Sequence, residues 1–345
     1  MDKYIQLDEE GYFHFDGQRV LDKELGHHLL SQLVVEPLMG YKTIYEDKEI
    51  YVEAFDSPLV VYQIAHLQND IWQAKTPYEY SFEFSLNTLR ADEWDRFLGY
   101  DKQNRPFVFT RSAQADFFNL VDSFDDDSVT FENVRYEVGP WLVSPVSTEP
   151  MDFWQKKYCE TDKPGWELNK PSPPLVEALP QLKVNRSRIL VPGCGTGNDA
   201  AFLAEQGHIV TAIDYCQEAI DLAQKKYGHI QNLKFVQADV FKLSESYMRA
   251  FDIVFEHTLF CAVPFEKRQN LVKVYRQCLA DHGHLLGVFF VMEQKAHPPY
   301  GGSEWEYRQR FKNYFNFLYW TRWKKSESWR KGVELVIYAQ LKERI

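Results

Sequence analysis

Three glycines at alternate positions form the part of the sequence best suited to binding a cofactor. Gly193, Gly195 and Gly197 follow the apolar run "RILVP" in "RILVPGCGTGNDAAFLAEQG". Glycine has no Cβ, so a turn built from it lets the main chain approach a ligand closely. A dinucleotide-binding turn would need a third glycine where Asn198 stands, and a P-loop would need Lys followed by Ser or Thr. The spacing therefore disfavours a NAD-dependent oxidoreductase and excludes a P-loop.

Acidic residues stand at the ends of the next two apolar runs. Asp214 ends the run "IVTAID", and Asp239 ends "KFVQAD". Ligands of open α/β sheets bind at the carboxyl ends of the strands, where Asp214 is placed to accept hydrogen bonds from two ribose hydroxyls. A GxGxG turn followed by an acidic residue at the end of the second strand is the arrangement used for S-adenosylmethionine. We therefore predict S-adenosylmethionine as the cofactor.

The elements that must position these residues are readable from the hydrophobic pattern of the second half of the chain. Short continuous apolar runs such as "IVTAIDY", "FDIVFEH" and "LLGVFFV" alternate with amphipathic segments such as "QEAIDLAQKKYG". Continuous apolar strands are buried on both faces, and their alternation with helices is typical of a doubly wound, mostly parallel sheet. We predict a Rossmann-like α/β domain over residues 143–345.

The first 142 residues have a different pattern. Segments such as "YEYSFEFSL" and "SVTFENVRYEVG" alternate apolar and polar residues, as half-buried strands do. Two helical patterns lie among them, "DKELGHHLLSQLV" and "SAQADFFNLVDSF", the second with Ser112 as its expected N-cap. We predict a β-rich α+β domain over 1–142, joined to the second domain by the proline-containing linker Gly139–Trp154.

Composition narrows the partners and the compartment. The 345 residues carry 50 acidic and 39 basic side chains, a formal net charge of −11, without a basic block that could neutralise nucleic-acid phosphates. Five scattered cysteines without metal-type spacing predict free thiols and no metal site. The sequence has neither a signal-peptide pattern nor an apolar run of spanning length, which favours a cytoplasmic protein without membrane contact. We expect a small-molecule partner, and the oligomeric state cannot be read from the sequence.

Four blocks in the second half resemble the thiopurine S-methyltransferase family. They are "WQKKYCETDKPGWELNKPSPPL", "LVPGCGTGNDAAFLAEQGHIVTAIDYCQEAI", "FDIVFEHTLFCAVPFEKR" and "PPYGGSEWEYRQRF". Their order and spacing are most similar to the thiol and halide methyltransferase branch, and the resemblance covers about residues 151–345. The first domain lies outside it. Through "GYFHFDGQRV", "EAFDSPLVV" and "NVRYEVGPWLV" it resembles a small bacterial domain family of unknown function.

The resemblance implies a class I S-adenosylmethionine-dependent methyltransferase fold and a set of site residues. An aromatic set is expected to close over the cofactor, the glycine turn to contact it, and acidic residues to bind its ribose and adenine side. His257 stands where the halide branch has Tyr and the thiopurine branch has Arg, and it is expected to reach the cofactor carboxylate or an acceptor. The implied cofactor-binding residues are Trp154, Tyr158, Trp166, Gly193, Gly195, Gly197, Asp214, Tyr215, Asp239, Val240 and His257.

Methyl transfer from a sulfonium is a direct displacement that depends on positioning and desolvation. The expected acceptor is a small soft nucleophile of the thiol, thiopurine or halide type, and Glu256 and His257 are the candidate catalytic bases. A thiol is already partly ionised at neutral pH, so a dedicated base is optional. Two alternatives stay open: transfer to oxygen or nitrogen of another small metabolite, and a regulatory protein that binds the cofactor without turnover.

Overall fold

The computed structural model describes residues 4–36, 40–91, 96–125, 128–138, 154–158, 165–292 and 298–343. The chain separates into two compact units, Met1–Val146 and Ser147–Ile345. The predicted boundary between residues 142 and 143, and the predicted linker up to residue 153, lie outside the described residues.

Within the described ranges, the N-terminal unit contains small sheets and two α-helices, which confirms the predicted β-rich α+β character. Strands in the orders β3-β2-β1-β6-β5-β4, β10-β9-β8, β11-β12-β13-β7 and β14-β15-β16 form its sheets. The strands are β1 Tyr4–Leu7, β2 Phe13–Phe15, β3 Gln18–Arg19, β4 Val34–Glu36, β5 Gly40–Tyr45, β6 Lys48–Ala54, β7 Leu59–Val61, β8 Gln63–Gln68, β9 Ile71–Lys75, β10 Ser81–Ser85, β11 Arg90–Ala91, β12 Phe97–Tyr100, β13 Pro106–Phe109, β14 Ser123–Phe124, β15 Ser128–Phe131 and β16 Val134–Glu137.

The alternating pattern buries one face of these strands. In β10 the side chains of Phe82 and Phe84 are buried, whereas the serines at its two ends are not. The helices are α1 Lys23–Ser31 and α2 Arg111–Leu120. The expected N-cap Ser112 is wrong: Thr110 caps α2 by accepting a hydrogen bond from the amide of Ala113, and Ser112 already lies within the first turn. Thr110 has the extended backbone that an N-cap requires.

The second unit contains one seven-stranded sheet in the order β19-β18-β17-β20-β21-β23-β22. Its strands are β17 Arg188–Pro192, β18 Ile209–Asp214, β19 Leu233–Gln237, β20 Phe251–His257, β21 Leu279–Phe290, β22 Phe315–Trp323 and β23 Glu334–Leu341. The first five in sequence pair in parallel, and β23 pairs antiparallel with both β21 and β22. The helices are α3 Pro173–Leu182, α4 Asn198–Glu205, α5 Gln217–Tyr227, α6 Phe265–Cys278 and α7 Glu304–Lys312.

Two separate hydrophobic clusters contain the buried residues of this sheet and of the helices that pack against it. A sheet with a core on each face is doubly wound, which confirms the predicted class I methyltransferase fold. The chain passes from β17 to β18 on one side, and β20 pairs with β17 on the other. Reversal of strand order at β17 opens a crevice at the carboxyl ends of β17 and β20, where ligands of such sheets bind.

Candidate active site

The glycine turn follows β17 at this crevice. Gly193, Gly195 and Gly197 have φ values of 61°, 52° and 81°, a region that side chains other than glycine rarely adopt. A Cβ at Gly193 would stand 3.0 Å from the Leu259 side chain, and one at Gly195 would stand 2.8 Å from the Tyr158 hydroxyl oxygen. The turn therefore needs glycine both for its backbone conformation and for the closeness of its neighbours.

Asp214 ends β18 directly beside this turn. Its carboxylate accepts hydrogen bonds from the amides of Gly195 and Cys216, both at 3.0 Å. A carboxylate offers about four acceptor sites, so two amides leave capacity for further donors. Asp214 lines the cavity described below, and burial raises the pKa of its carboxyl group. The structure thus places the residue expected to bind the ribose hydroxyls in the cavity wall, with acceptor sites to spare.

The three predicted aromatic residues lie together, although eight residues separate Tyr158 from Trp166. The ring centroid of Trp166 is 5.0 Å from that of Trp154 and 5.9 Å from that of Tyr158, in edge-to-face arrangements. The Trp166 indole N–H also donates to the Tyr158 hydroxyl at 3.3 Å. Burial raises the pKa of Tyr158, which keeps its hydroxyl neutral. These rings can face a cation, and such contacts stabilise a cation by about 0.5–2 kcal/mol.

The residues expected on the adenine side follow β19. The Asp239 carboxylate accepts a hydrogen bond from the amide of Phe241 at 2.9 Å and so caps a single 3₁₀ turn, Val240–Lys242. Tyr215, Asp239 and Val240 all line the cavity. This part of the wall therefore combines an apolar side chain, an aromatic ring and a carboxylate. Such a combination suits a purine ring, which has apolar faces and hydrogen-bonding edges.

One cavity of about 670 Å³ brings most of the predicted residues together, and its volume is within the usual range of small-molecule sites. Gly195, Gly197, Glu256 and His257 are not part of its lining. The predicted residues that line it are Trp154, Tyr158, Trp166, Gly193, Asp214, Tyr215, Asp239 and Val240. The remaining wall is largely apolar, with Leu259, Cys261, Ala262, Val263, Pro264, Phe290, Met292, Pro299, Trp329 and Val333.

A buried arginine fastens part of this apolar wall. Arg268, on α6, donates hydrogen bonds to the carbonyl oxygens of Val263 at 3.0 Å and Gly301 at 2.8 Å. Its guanidinium also pairs with Glu306 at 2.7 Å. Because Arg268 links the loop after β20 to the segment before α7, it fixes two parts of the wall relative to each other.

His257 ends β20 but is already engaged on both ring nitrogens. Nε2 lies 3.2 Å from Nη1 of Arg330, and Nδ1 lies 2.6 Å from a carboxylate oxygen of Asp199. Arginine has no acceptor, so Nε2 must accept and Nδ1 must carry the proton. The lone pair that a catalytic base would need is therefore occupied. In this arrangement the ring contacts Asp199 and Arg330 and does not line the cavity. The role of His257 as a base stays a prediction.

Glu256, the other candidate base, precedes His257 in β20, and its side chain is fully buried. One carboxylate oxygen accepts from the amide of Phe260 at 2.9 Å, and the other accepts from the hydroxyl of Tyr275. Burial raises the pKa of Glu256. Its carboxyl group thus contacts the loop after β20 and is not part of the cavity lining, and its role as a base stays a prediction.

Sequence reasoning missed several residues of the wall, above all Phe290, Trp329 and Arg330. A usable signal existed for Phe290, because it ends the buried run "LLGVFFV" and so had to reach the same edge of the sheet as Asp214. No comparable signal existed for Arg330, which stands in a locally basic segment and reads there as a solvated charge. Arg330 is buried because β23 lies beside β21, which in turn pairs with β20. The local sequence pattern around Arg330 holds no information about this strand order.

Four of the five cysteines lie in the part of the chain that the structure describes. Cys194, Cys216, Cys261 and Cys278 are free thiols. Burial raises the pKa of Cys261, the one of these that lines the cavity, to about 12, so it is a poor nucleophile. Among the described residues, no group of three His, Cys, Asp or Glu side chains could hold a metal ion. Likewise, no helix in the described ranges is both long and apolar enough to cross a membrane.

The fold and this site together define a class I S-adenosylmethionine-dependent methyltransferase. The model of the thiopurine S-methyltransferase family matches residues 149–336, more than half of the chain. The chain belongs to the thiopurine S-methyltransferase family.

Two relatives fit this assignment, and one solved structure is similar to the chain at low identity. The chain is 29% identical over 160 residues to a probable thiol methyltransferase 2 of Arabidopsis thaliana, covering 45% of this chain and 70% of that protein. It is 30% identical over 139 residues to a 2-heptyl-1-hydroxyquinolin-4(1H)-one methyltransferase of Mycobacteroides abscessus, covering 40% and 60%. The solved structure of a Burkholderia thailandensis 1,6-didemethyltoxoflavin-N1-methyltransferase is 18% identical with a TM-score of 0.48, covering 65% of this chain and 99% of its own.

Proposed function

We propose that this protein methylates a small soft nucleophile, a thiol, thiopurine-like or halide acceptor, by direct in-line displacement. S-adenosylmethionine supplies an electrophilic methyl group on a sulfonium, and direct transfer leaves a neutral thioether. The chain's own contribution is to bind, orient and desolvate. Gly193 and Asp214 would hold the amino-acid and ribose parts of the cofactor, Asp239 and Val240 would face adenine, and the rings of Trp154, Tyr158 and Trp166 would exclude water from the cation.

The observation that carries the proposal is the wall of the cavity beyond these residues. It is formed by Phe290, Met292, Pro299, Trp329 and Val333, together with the loop after β20. A soft nucleophile loses little by leaving water for such a wall, and the loss of its hydration strengthens attack on a cationic centre. A hard, strongly hydrated acceptor would find few hydrogen-bonding partners there.

The protonation chemistry of the site supports the same class of acceptor. Among the described residues that line the cavity, the only carboxylates are Asp214 and Asp239, both on the side assigned to the cofactor. Glu256 hydrogen-bonds to Phe260 and Tyr275, and His257 contacts Asp199 and Arg330, which supports an acceptor that needs no base. An acceptor that ionises by itself, such as a thiol with a pKa of about 8.5, or that carries no proton, such as a halide, needs no base.

The test is an acceptor panel. The purified chain is incubated with S-adenosylmethionine and, separately, thiols, thiopurines, thiocyanate and iodide, and formation of S-adenosylhomocysteine is measured. We expect turnover with at least one sulfur or halide acceptor, and its loss in Asp214→Ala. Methylation confined to oxygen or nitrogen acceptors added to the same panel would overturn the proposal.

One observation favours a second acceptor class. The relative from Mycobacteroides abscessus is named for a hydroxyquinolinone with a heptyl chain, and the apolar wall described here would also suit an apolar heterocycle. The corresponding candidate function is methylation of a hydroxyl group on such a ring. A hydroxyquinolinone in the panel separates the two, since preference for it over every thiol and halide would select this second function.

A further inference from the structure

Arg330 is a buried cation at the edge of the cavity. It follows Trp329 in the loop before β23, its side chain is fully buried, and it lines the cavity wall. The guanidinium carbon lies 4.4 Å from the ring centroid of Trp329 and 5.1 Å from that of Phe290. Both rings are within the distance at which an aromatic face stabilises a cation.

Those donors are only partly used. Nη2 donates to the carbonyl oxygen of Trp166 at 2.6 Å, and Nη1 contacts His257 Nε2 at 3.2 Å. Within the described residues, Nε has no hydrogen-bond partner. Glu334 offers a carboxylate 3.6 Å from Nη1, yet neither of its oxygens accepts a hydrogen bond there. Buried charges are normally paired and fully hydrogen-bonded, so this guanidinium has unfilled binding capacity.

A chain of side chains holds Arg330 in this position. Asp199, in the first turn of α4, accepts from Nδ1 of His257 and, with its other oxygen, from the amide of Ser172 at 2.6 Å. This contact fixes the orientation of the His257 ring, and the ring in turn offers Nε2 to Arg330. Asp199 and His257 thus orient the guanidinium of Arg330, whose own hydrogen bonds are incomplete.

We propose that Arg330 binds an anionic group of a cavity ligand, either the carboxylate of the cofactor or a negatively charged acceptor. Guanidinium groups pair with carboxylates and other anions through short, charge-assisted hydrogen bonds. Such pairs are strong where water is excluded, and the Arg330 side chain is fully buried. If the anionic group belongs to the acceptor, the inference rests on the proposed function. If it is the carboxylate of the cofactor, the inference requires only that the chain binds S-adenosylmethionine.

The test compares ligands with and without the anionic group. The Arg330→Gln, Glu334→Gln double variant removes both buried charges, so it leaves no uncompensated carboxylate. Glu334→Gln alone keeps the guanidinium, and Lys331→Gln removes an exposed cation from the adjacent position. Calorimetry gives the affinity of each for S-adenosylhomocysteine and for 5′-methylthioadenosine, which lacks the amino-acid part. Initial rates give KM for charged and for neutral acceptors.

If Arg330 binds the cofactor carboxylate, the double variant loses about tenfold or more in affinity for S-adenosylhomocysteine and keeps its affinity for 5′-methylthioadenosine. If Arg330 binds the acceptor, both affinities are kept and KM rises about tenfold or more for iodide or a thiolate but not for a neutral acceptor. Glu334→Gln and Lys331→Gln should reproduce neither pattern. Unchanged values in the double variant, or equal losses for both nucleosides, would overturn the proposal.

Arg330→Lys serves if the double variant does not fold, since it keeps the charge and shortens the hydrogen-bonding reach. The same pattern of losses at a smaller amplitude supports the proposal. If Arg330→Lys leaves all affinities and KM values unchanged, the proposal is overturned. The binding arm uses no methyl acceptor. A chain that binds S-adenosylhomocysteine through Arg330 yet methylates nothing in the panel would therefore refute the proposed function alone.

Discussion

Arg105 in the N-terminal unit and Arg330 in the second unit are both buried, and their guanidinium groups have opposite surroundings. In the N-terminal unit, Arg105 donates to Asp101 at 2.7 Å, to the carbonyl oxygen of Leu30 at 3.1 Å and to the hydroxyl of Tyr80 at 2.6 Å. Burial lowers the pKa of Arg105, but its hydrogen bonds to Tyr80 and Asp101 raise it by more. In the second unit, burial lowers the pKa of Arg330, and its neighbours do not restore it.

Two buried aspartates show the same contrast. The carboxylate of Asp8 accepts hydrogen bonds from two backbone amides, from His14 at 2.7 Å and from Arg19 at 2.9 Å. Burial raises the pKa of Asp8, but these contacts outweigh it and hold the pKa below its usual value. Among the described residues, the hydrogen-bond partners of the Asp214 carboxylate are backbone amides alone, and burial leaves its pKa raised.

The difference separates two uses of a buried charge. A charge that its own unit fully compensates contributes to the fold, and nothing remains for a ligand to contact. A charge that its unit compensates only in part costs folding free energy and gains a partner when a ligand enters. Asp214 and Arg330 are of the second kind, and both line the cavity. The comparison predicts that changes at Asp8 or Arg105 affect stability, whereas changes at Asp214 or Arg330 affect binding.

The largest expected effect is on Arg105. Arg105→Leu leaves the buried carboxylate of Asp101 without its cation, which costs about 3–5 kcal/mol of unfolding free energy for a buried pair broken on one side. Urea unfolding of the full chain measures it. The double variant Arg105→Leu, Asp101→Asn should recover part of the loss, because no uncompensated charge remains. A cost below about 1 kcal/mol would show that the pair does not stabilise the unit.

Asp214 should show the reverse. Asp214→Ala removes the acceptor for the cofactor's hydroxyl groups and should weaken S-adenosylmethionine binding by about 1.5–3 kcal/mol, the range for hydrogen bonds to a charged group. Calorimetric titration measures this loss. Asp8→Ala is the matched variant and should lower stability while leaving cofactor affinity unchanged. Equal cofactor affinity in the wild type and in Asp214→Ala would contradict the claim that incompletely compensated charges serve ligand binding.

The sequence revealed those parts of the site whose signals are local. A strand followed by GxGxG, and an acidic residue closing the next strand, lie within a few residues of each other, so spacing alone led to Gly193 and Asp214. Arg330 and Glu256 could not be assigned this way. Whether a charge is buried, and what compensates it, depends on residues far apart in sequence: Arg330 meets Trp166 and His257 only because β23 pairs with β21 beside β20.

The role of His257 gives a smaller expected effect. As a residue that orients Arg330, it should be replaceable by Gln with a loss of turnover within about tenfold, because the amide oxygen can still accept a hydrogen bond. A general base would instead be worth about 10²–10⁴-fold. Turnover of the wild type and of His257→Gln is compared across pH with the acceptor found in the panel. A loss above about 10²-fold, with a pH dependence that disappears in His257→Gln, would restore the histidine as a base.

The smallest effects concern pH, and the two aspartates should differ in sign. The folded-state pKa of Asp8 lies below 3.8, so its contribution to stability is present above that value and is lost as pH falls through the lowered pKa. The folded-state pKa of Asp214 lies above 3.8, so the folded state binds the proton first and is stabilised as pH falls through the raised pKa, while cofactor affinity declines. Each pKa unit of difference corresponds to about 1.4 kcal/mol. Unfolding of the wild type, Asp8→Asn and Asp214→Asn in urea at a series of acidic pH values isolates each aspartate, because Asn does not titrate. For each aspartate, the free energy of unfolding of the variant is subtracted from that of the wild type at each pH. If the two differences change with pH in the same direction, the distinction between compensated and uncompensated charge is contradicted.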